Sequence, residues 1–284
     1  MSRIFSDPAV TGYQAPGHPE APWRVSRSAE RLKAAGHKIE PPAAAATEAD
    51  LRLAHAEEHV TAVKTGGYFD ADTPPHPDIY RIALTSLSGA LSAADSAQKG
   101  EPAFSLMRPP GHHAGKNRIA GFCYFNNLAV ACLKALQGGK CSRLAVLDID
   151  VHHGDGTEEI LLGREPFRFC SLHQSPLYPG AGLESVDNCV NIPLPPGTAE
   201  DDYLRKLEPA LRSLLDFKPD ILAVSAGFDT FKECPIAALK LDIKSYRKIG
   251  RMLAETNLNR FAVLEGGYAE ALPEIIENFL DGFF

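Results

Sequence analysis

The stretch LAVLDIDVHHGDGTEEI, residues 144–160, places Asp148, Asp150, His152, His153 and Asp155 directly after an apolar run, with no Lys or Arg among them. Carboxylates crowded this way repel one another unless a cation sits between them, and mixed carboxylate and imidazole donors suit a borderline divalent metal such as zinc. Asp148, Asp150 and His152 alternate, so a fully extended chain sends them to one face in steps of about 7 Å. Asp229, in AGFD at the end of another apolar run, is the natural third ligand beside Asp150 and His152. Two carboxylates then balance a dication, and a coordination position stays open for water. A single Asp at a strand end ordinarily caps a helix or bonds a loop. That ordinary reading would here have to satisfy three carboxylates with two histidines, which makes the metal site the stronger one.

His112 and His113 follow RPPG, where Pro109 and Pro110 stiffen the chain and Gly111 permits a sharp bend. Paired histidines beside a metal suit general base and general acid, provided a partner, usually a carboxylate, holds the far nitrogen of each. With Asp150, His152 and Asp229 assigned to metal, Asp148 and Asp155 remain, one carboxylate for each histidine. Tyr268 in LEGGYAE lies just past Gly266 and Gly267. Its phenol can donate to an oxygen that gains negative charge, although a tyrosine after a strand is more often a rim aromatic.

These residues need elements to bring them together. From residue 81 helical stretches (IALTSLSGALSAADSA, FNNLAVACLKALQGG, YLRKLEPALRSLLDF, IKSYRKIGRMLAETN) alternate with short apolar runs (AFSLM, RLAVLDID, FRFCSLH, DILAVSAG, RFAVLEGG). Runs apolar on both faces, separated by amphipathic helices, predict a parallel sheet covered on both sides. Every concentrated polar motif then falls at the carboxyl end of a strand, where open α/β sheets place their sites. Residues 1–80 read as irregular with helical patches, among them RVSRSAERLKAAG before a capping Gly and a capping box from Thr47 to Asp50.

The 284 residues are 44% hydrophobic and 23% charged, the balance of a globular chain, and we expect one domain over 1–284. A net charge of -7 argues against a general nucleic-acid binder and is weakly in favour of a cationic substrate. No apolar run approaches the ~20 residues of a membrane span. Six cysteines without a CxxC pair and an N-terminus without an apolar signal core point to a reducing cytoplasm.

RPPGHHA, GFCYFNN, LDIDVHHGDGT, SLHQSPLYPGAG, AGFDT and LEGGY, with HPEAPWRV near the start, resemble in order and approximate spacing the zinc-dependent histone deacetylase and acetylpolyamine amidohydrolase family, in its bacterial form. The resemblance implies the arginase/deacetylase α/β fold, a mostly parallel sheet sandwiched between helices, and hydrolysis of an N-acyl amide. On matching positions it implies Asp150, His152 and Asp229 as zinc ligands, His112 as general base and His113 as electrostatic partner or acid. Tyr268 polarises the carbonyl, and Asp148 and Asp155 orient the two histidines. It further implies a structural potassium ion at Asp148, Asp150, His152, Ser171 and Leu172. Phe122 and Tyr178 line an acyl-lysine channel, with Gly121 as its backbone wall.

Two departures stand out. KECPI, residues 232–236, replaces a run usually close to GDPL, and only 111 residues precede His112, too few for the insertion by which some polyamine amidohydrolases dimerise. Ile236 falls nearer the gatekeeper position than Glu233, which favours acyl-lysine over acylated polyamine. Asp72 in FDADTPP reads as a turn residue before it reads as a rim aspartate. A metal-binding module without catalysis would have no use for the paired histidines, and an arginase-like enzyme would need further acidic ligands. Oligomeric state, acyl preference and zinc against iron are left open.

Overall fold

The computed structural model describes residues 2–284. Among them eight parallel strands form: β1 (Arg3–Phe5), β2 (Ile39–Glu40), β3 (Ala103–Ser105), β4 (Leu144–Asp148), β5 (Phe167–Gln174), β6 (Cys189–Leu194), β7 (Ile221–Ala226) and β8 (Asn259–Leu264), with β3, β4, β5, β7 and β8 on the five expected apolar runs. They form one sheet in the order β2-β1-β3-β8-β7-β4-β5-β6. The central strands β4 and β7 are buried at every residue, as double-sided cover requires. Register aligns their ends: Asp148 pairs with Ser225 of β7 on one side and Ser171 of β5 on the other. Loops leaving β4, β5, β7 and β8 therefore start side by side.

The helices are α1 (Trp23–Ala34), α2 (Glu48–Leu51), α3 (Glu57–Thr65), α4 (Ile79–Gln98), α5 (Asn127–Gln137), α6 (Asp155–Leu161), α7 (Glu200–Asp216), α8 (Ile243–Glu255) and α9 (Leu272–Phe283). α4, α5, α7 and α8 lie where the periodicity places them, and Thr47 and Asp50 make both arms of the expected capping box. α1, α8 and α9 pack together, while α4 packs on α5 and on β1, β3 and β8. The expected layered α/β architecture, one parallel sheet packed against helices, is what forms.

Residues 1–80 depart from the irregular reading. β1 inserts between β2 and β3, yet it has only three residues among polar neighbours, too short to show a period. β6 was hidden for another reason. It is the sheet edge, half-exposed at alternate positions and interrupted by Pro193, which only an edge strand tolerates. All six cysteines are buried and free. Among the described residues no helix is long and apolar enough to cross a membrane.

Candidate active site

β4 ends at Asp148 and the chain then curls, so the extended row expected from alternation does not form. The carboxylates themselves bend it: Asp148 Oδ1 accepts the Asp150 backbone N–H at 3.0 Å, and Asp150 Oδ1 accepts that of His152 at 2.9 Å. Asp229 reaches in from beyond β7 and accepts the Val151 N–H at 2.9 Å. One donor atom each from Asp150, His152 and Asp229 now lies within 4.8 Å of the others, all buried. Curling brings the donors closer than an extended strand could.

This donor set fits a divalent cation. Asp229 Oδ2 is buried without a hydrogen-bond donor, lying 3.2 Å from His152 Nδ1 but outside bonding geometry. A Cβ on Gly266 would run into that oxygen and stand 2.6 Å from Asp150 Oδ2, so glycine keeps the space open. Burial pushes the Asp229 carboxyl up, and the Asp150 charge adds to it. Burial opposes charge on His152 too, yet Asp150 and Asp229 together hold its imidazole up to about 9. Two carboxylates and an imidazole in a buried pocket call for positive charge there.

Each paired histidine has its carboxylate. His112 Nδ1 donates to Asp148 Oδ2 at 3.0 Å and His113 Nδ1 to Asp155 Oδ1 at 2.7 Å, with the two rings 4.0 Å apart. Both Nε2 atoms are thereby left for chemistry. Burial would lower His112, but the Asp150 and Asp148 charges hold it well above its ordinary value. His113 is pushed down to about 3 by burial and then by His112. The partner carboxylates differ as well: burial raises Asp148, whereas for Asp155 it is outweighed by His113 and Arg118, which hold it low.

A cavity of about 220 Å³ opens onto these groups, lined by Gly121, Phe122, Tyr178, Ile236 and Tyr268 together with His112, His113, His152 and Asp72. Gly121 and Phe122 both take left-handed backbone, at φ 54° and 70°, which turns the wall inward. Phe122 stands edge-on to Tyr268 with ring centroids 5.7 Å apart, and Tyr178 likewise to His113 at 5.1 Å. Asp72 is both a turn residue and part of the lining. Glu233 is elsewhere, in a separate surface hollow with Lys232, Lys244 and Lys248. Ser171 and Leu172 are fully buried, Ser171 Oγ sitting 3.0 Å from His173 Nδ1.

Sequence reasoning missed the groups that brace the loops. Glu265, fully buried, accepts the backbone N–H groups of Gly111 at 2.7 Å and His112 at 3.2 Å and the Ser225 hydroxyl at 3.1 Å, and burial raises it to about 7. Arg24 donates to the Gly267 carbonyl at 2.7 Å and to that of Glu265, and its guanidinium lies 4.8 Å from the centre of the Tyr268 ring. Glu20 joins Arg24 at 3.1 Å to Arg108 at 2.6 Å. The HPE motif was the available signal for Glu20. Glu265 sat in plain view within LEGGY, but nothing local distinguishes a bracing carboxylate from a helix cap.

The fold and site define a class first: a parallel α/β protein with an Asp–His–Asp cluster able to hold a metal ion and two His–Asp pairs at one cavity. A model of the histone deacetylase domain matches residues 18–283, and the chain belongs to that family. A probable deacetylase of Archaeoglobus fulgidus is 36% identical over 297 residues, which covers 95% of this chain and 82% of the relative. An acetylpolyamine amidohydrolase of Mycoplana ramosa is 35% identical over 272 residues, covering 89% and 77%. Among solved structures, an acetylpolyamine aminohydrolase from Burkholderia pseudomallei superposes with a TM-score of 0.90 at 26% identity, over 100% of this chain and 98% of the other. The HD domain of HDA15 superposes with a TM-score of 0.92 at 29% identity, over 98% and 87%. The protein is a deacetylase, an amidohydrolase by reaction class.

Proposed function

We propose a zinc-dependent deacylase that removes acetyl or related acyl groups from lysine side chains, working in the cytoplasm as a single domain over 1–284. The observation that carries this reading is the convergence of the Asp150, His152 and Asp229 donors with both His–Asp pairs beside one cavity, which His112, His113 and His152 line together with Phe122, Tyr178 and Tyr268. A divalent ion held by those three donors, zinc by their chemistry, supplies Lewis acidity towards carbonyl oxygen and water when bound. His112 Nε2 takes the proton of the attacking water, its ring held by Asp148, since a bound dication would offset the Asp150 charge that raises this imidazole. Tyr268 donates a hydrogen bond to the carbonyl oxygen as charge builds there. The proton that His112 takes up passes on to the nitrogen as the C–N bond breaks, with His113, held by Asp155 and kept uncharged by burial, as its electrostatic partner, and carboxylic acid and free amine leave. Asp148, Asp150, His152, Ser171 and Leu172 form the potassium site of this reading, supported by the pairing of Asp148 with Ser171.

Phe122 and Tyr178 bound a channel suited to the methylenes of a lysine stem, and Ile236 puts no charge at the gate. Acylated polyamine is the second reading, favoured by the amidohydrolase relatives and by Asp72 in the lining. The test is kcat/KM of zinc-loaded protein on an acetyl-lysine peptide against acetylspermidine, with chelation abolishing turnover and zinc restoring it. A wide preference for the polyamine transfers the assignment to the second reading, and Asp72, rather than Glu233, is then the residue to replace.

A further inference from the structure

His55, just before α3, and His59, in its first turn, stack with ring centroids 4.6 Å apart and planes 10° from parallel, both buried. Their hydrogen bonds fix the state of His55. Its Nε2 accepts the Asn126 backbone N–H at 2.9 Å, and its Nδ1 lies 2.8 Å from the Gly115 carbonyl oxygen, which can only accept. The ring is therefore neutral with its proton on Nδ1, and a second proton would set N–H against N–H. His59 Nε2 donates to the Tyr124 carbonyl at 2.7 Å. Opposite edges of one imidazole thus hold the two ends of loop 115–126, and the stacked ring holds it again near its exit. In the middle of that loop stand Gly121 and Phe122, which line the cavity.

The surroundings keep both rings uncharged. Phe125 packs on them at 5.5 and 5.6 Å, with Tyr80 of α4 behind it, and Glu57 and Glu58 of α3 are exposed. Glu159 of α6, which also accepts the Lys116 N–H and lies 3.8 Å from Arg118, favours charge on His59. Burial outweighs it and pushes His59 down, and burial followed by the His59 charge pushes His55 down to about 3. We propose that the His55–His59 pair is a clasp that positions the Gly121–Phe122 wall for substrate, and an acid-sensitive one, because opening the loop lets the pair take up protons. Between the ordinary value of an imidazole, roughly 6.5, and its buried one, each such group raises the open fraction about tenfold per pH unit. The inference rests on the proposed use of this cavity for substrate, but loop opening can be read without any substrate.

Amide hydrogen exchange over residues 115–126, corrected for its intrinsic dependence on pH, compares wild type with the double variant His55→Gln, His59→Gln. Glutamine offers a donor and an acceptor but takes up no proton. From about pH 6.5 to about pH 5.5 the opening of the wild-type loop should rise roughly 10- to 100-fold more than that of the double variant, one factor of ten per histidine, while β4 and β7 stay protected. On an acetyl-lysine peptide at neutral pH, zinc-loaded His55→Phe, which keeps a ring without either hydrogen bond, should show KM raised roughly 10-fold and kcat changed less, and His55→Gln should recover most of the loss. Equal acid slopes in wild type and the double variant, opening in step with β4, or a KM in His55→Phe that is unchanged or not recovered by Gln overturns the proposal. If His55→Phe fails to fold, the exchange slopes and the KM of His55→Gln, which should stay near that of wild type, decide it. Absence of turnover on every acyl amide removes the proposed function instead, and the exchange slopes then still decide whether the clasp exists.

Discussion

Tyr268 shows how much rests on single atoms. Its ring is held by Phe122 on one side and by Arg24 on the other, so replacing it with Phe keeps the packing and removes only the donor. Losing one such donor costs about 2.7–4 kcal/mol of transition-state stabilisation, and Tyr268→Phe should lose roughly two to three orders of magnitude in kcat with little change in KM or melting temperature. On the proposed reading, His112→Ala should bind zinc yet turn over on the order of 10²–10⁴-fold more slowly. Near wild-type turnover at neutral pH would remove it as the base. Asp229→Ala takes away the one carboxylate oxygen of the cluster that has no hydrogen-bond donor. Metal analysis of that variant should find zinc depleted along with activity, and full occupancy would contradict the ligand assignment.

At the scale of elements, the strand ends bring the parts together and the loops between them are braced from behind. Gly121 shows how little tolerance the cavity wall has. Its backbone is left-handed, which costs other residues about 1–2 kcal/mol, and an added Cβ would collide with the His113 ring and stand 3.1 Å from Tyr178. Gly121→Ala should therefore fold, bind zinc normally and hydrolyse acetyl-lysine poorly, with KM raised as well as kcat lowered. Wild-type kinetics in that variant would mean that the wall has room to move. Glu265 braces the other wall, since its carboxylate holds the N–H groups of the loop that carries His112.

At the scale of the whole molecule, one buried ionic network in the N-terminal half reaches the C-terminal half through the hydrogen bonds of Arg24 to the Glu265 and Gly267 carbonyls. Glu20 pairs with both Arg24 and Arg108, all three within 2% of full burial. Burial alone would raise the Glu20 carboxyl, but Arg108 and then Arg24 outweigh it and hold it below its ordinary value. Such a depressed group contributes stability that is present above the unfolded pKa and lost as pH falls through the folded one. Glu20→Gln leaves two guanidiniums without their counter-charge, and removing one partner of a buried pair costs about 3–5 kcal/mol. Thermal melts from neutral to acid pH should show a large gap between wild type and variant at pH 7 that narrows towards low pH. A constant gap would show that the cost is packing rather than charge.

The amino-acid sequence by itself determined the sheet's central strands, most of the long helices and which polar side chains gather at the candidate site. Apolar runs flanked by polar motifs can be satisfied only by a covered parallel sheet, and Asp150, His152 and Asp229 have few other uses. It could not reveal β1, β2 or β6, because strands of two or three residues carry no period and an edge strand shares its pattern with loops. Nor could it show the curl after Asp148, which depends on side-chain oxygens capturing backbone N–H groups two residues on. Glu20, Arg24, Arg108 and Glu265 acquire meaning only in three dimensions, since each partners groups tens to hundreds of residues away. Local sequence encodes which atoms can do the chemistry, and long-range contact decides how rigidly they are aimed.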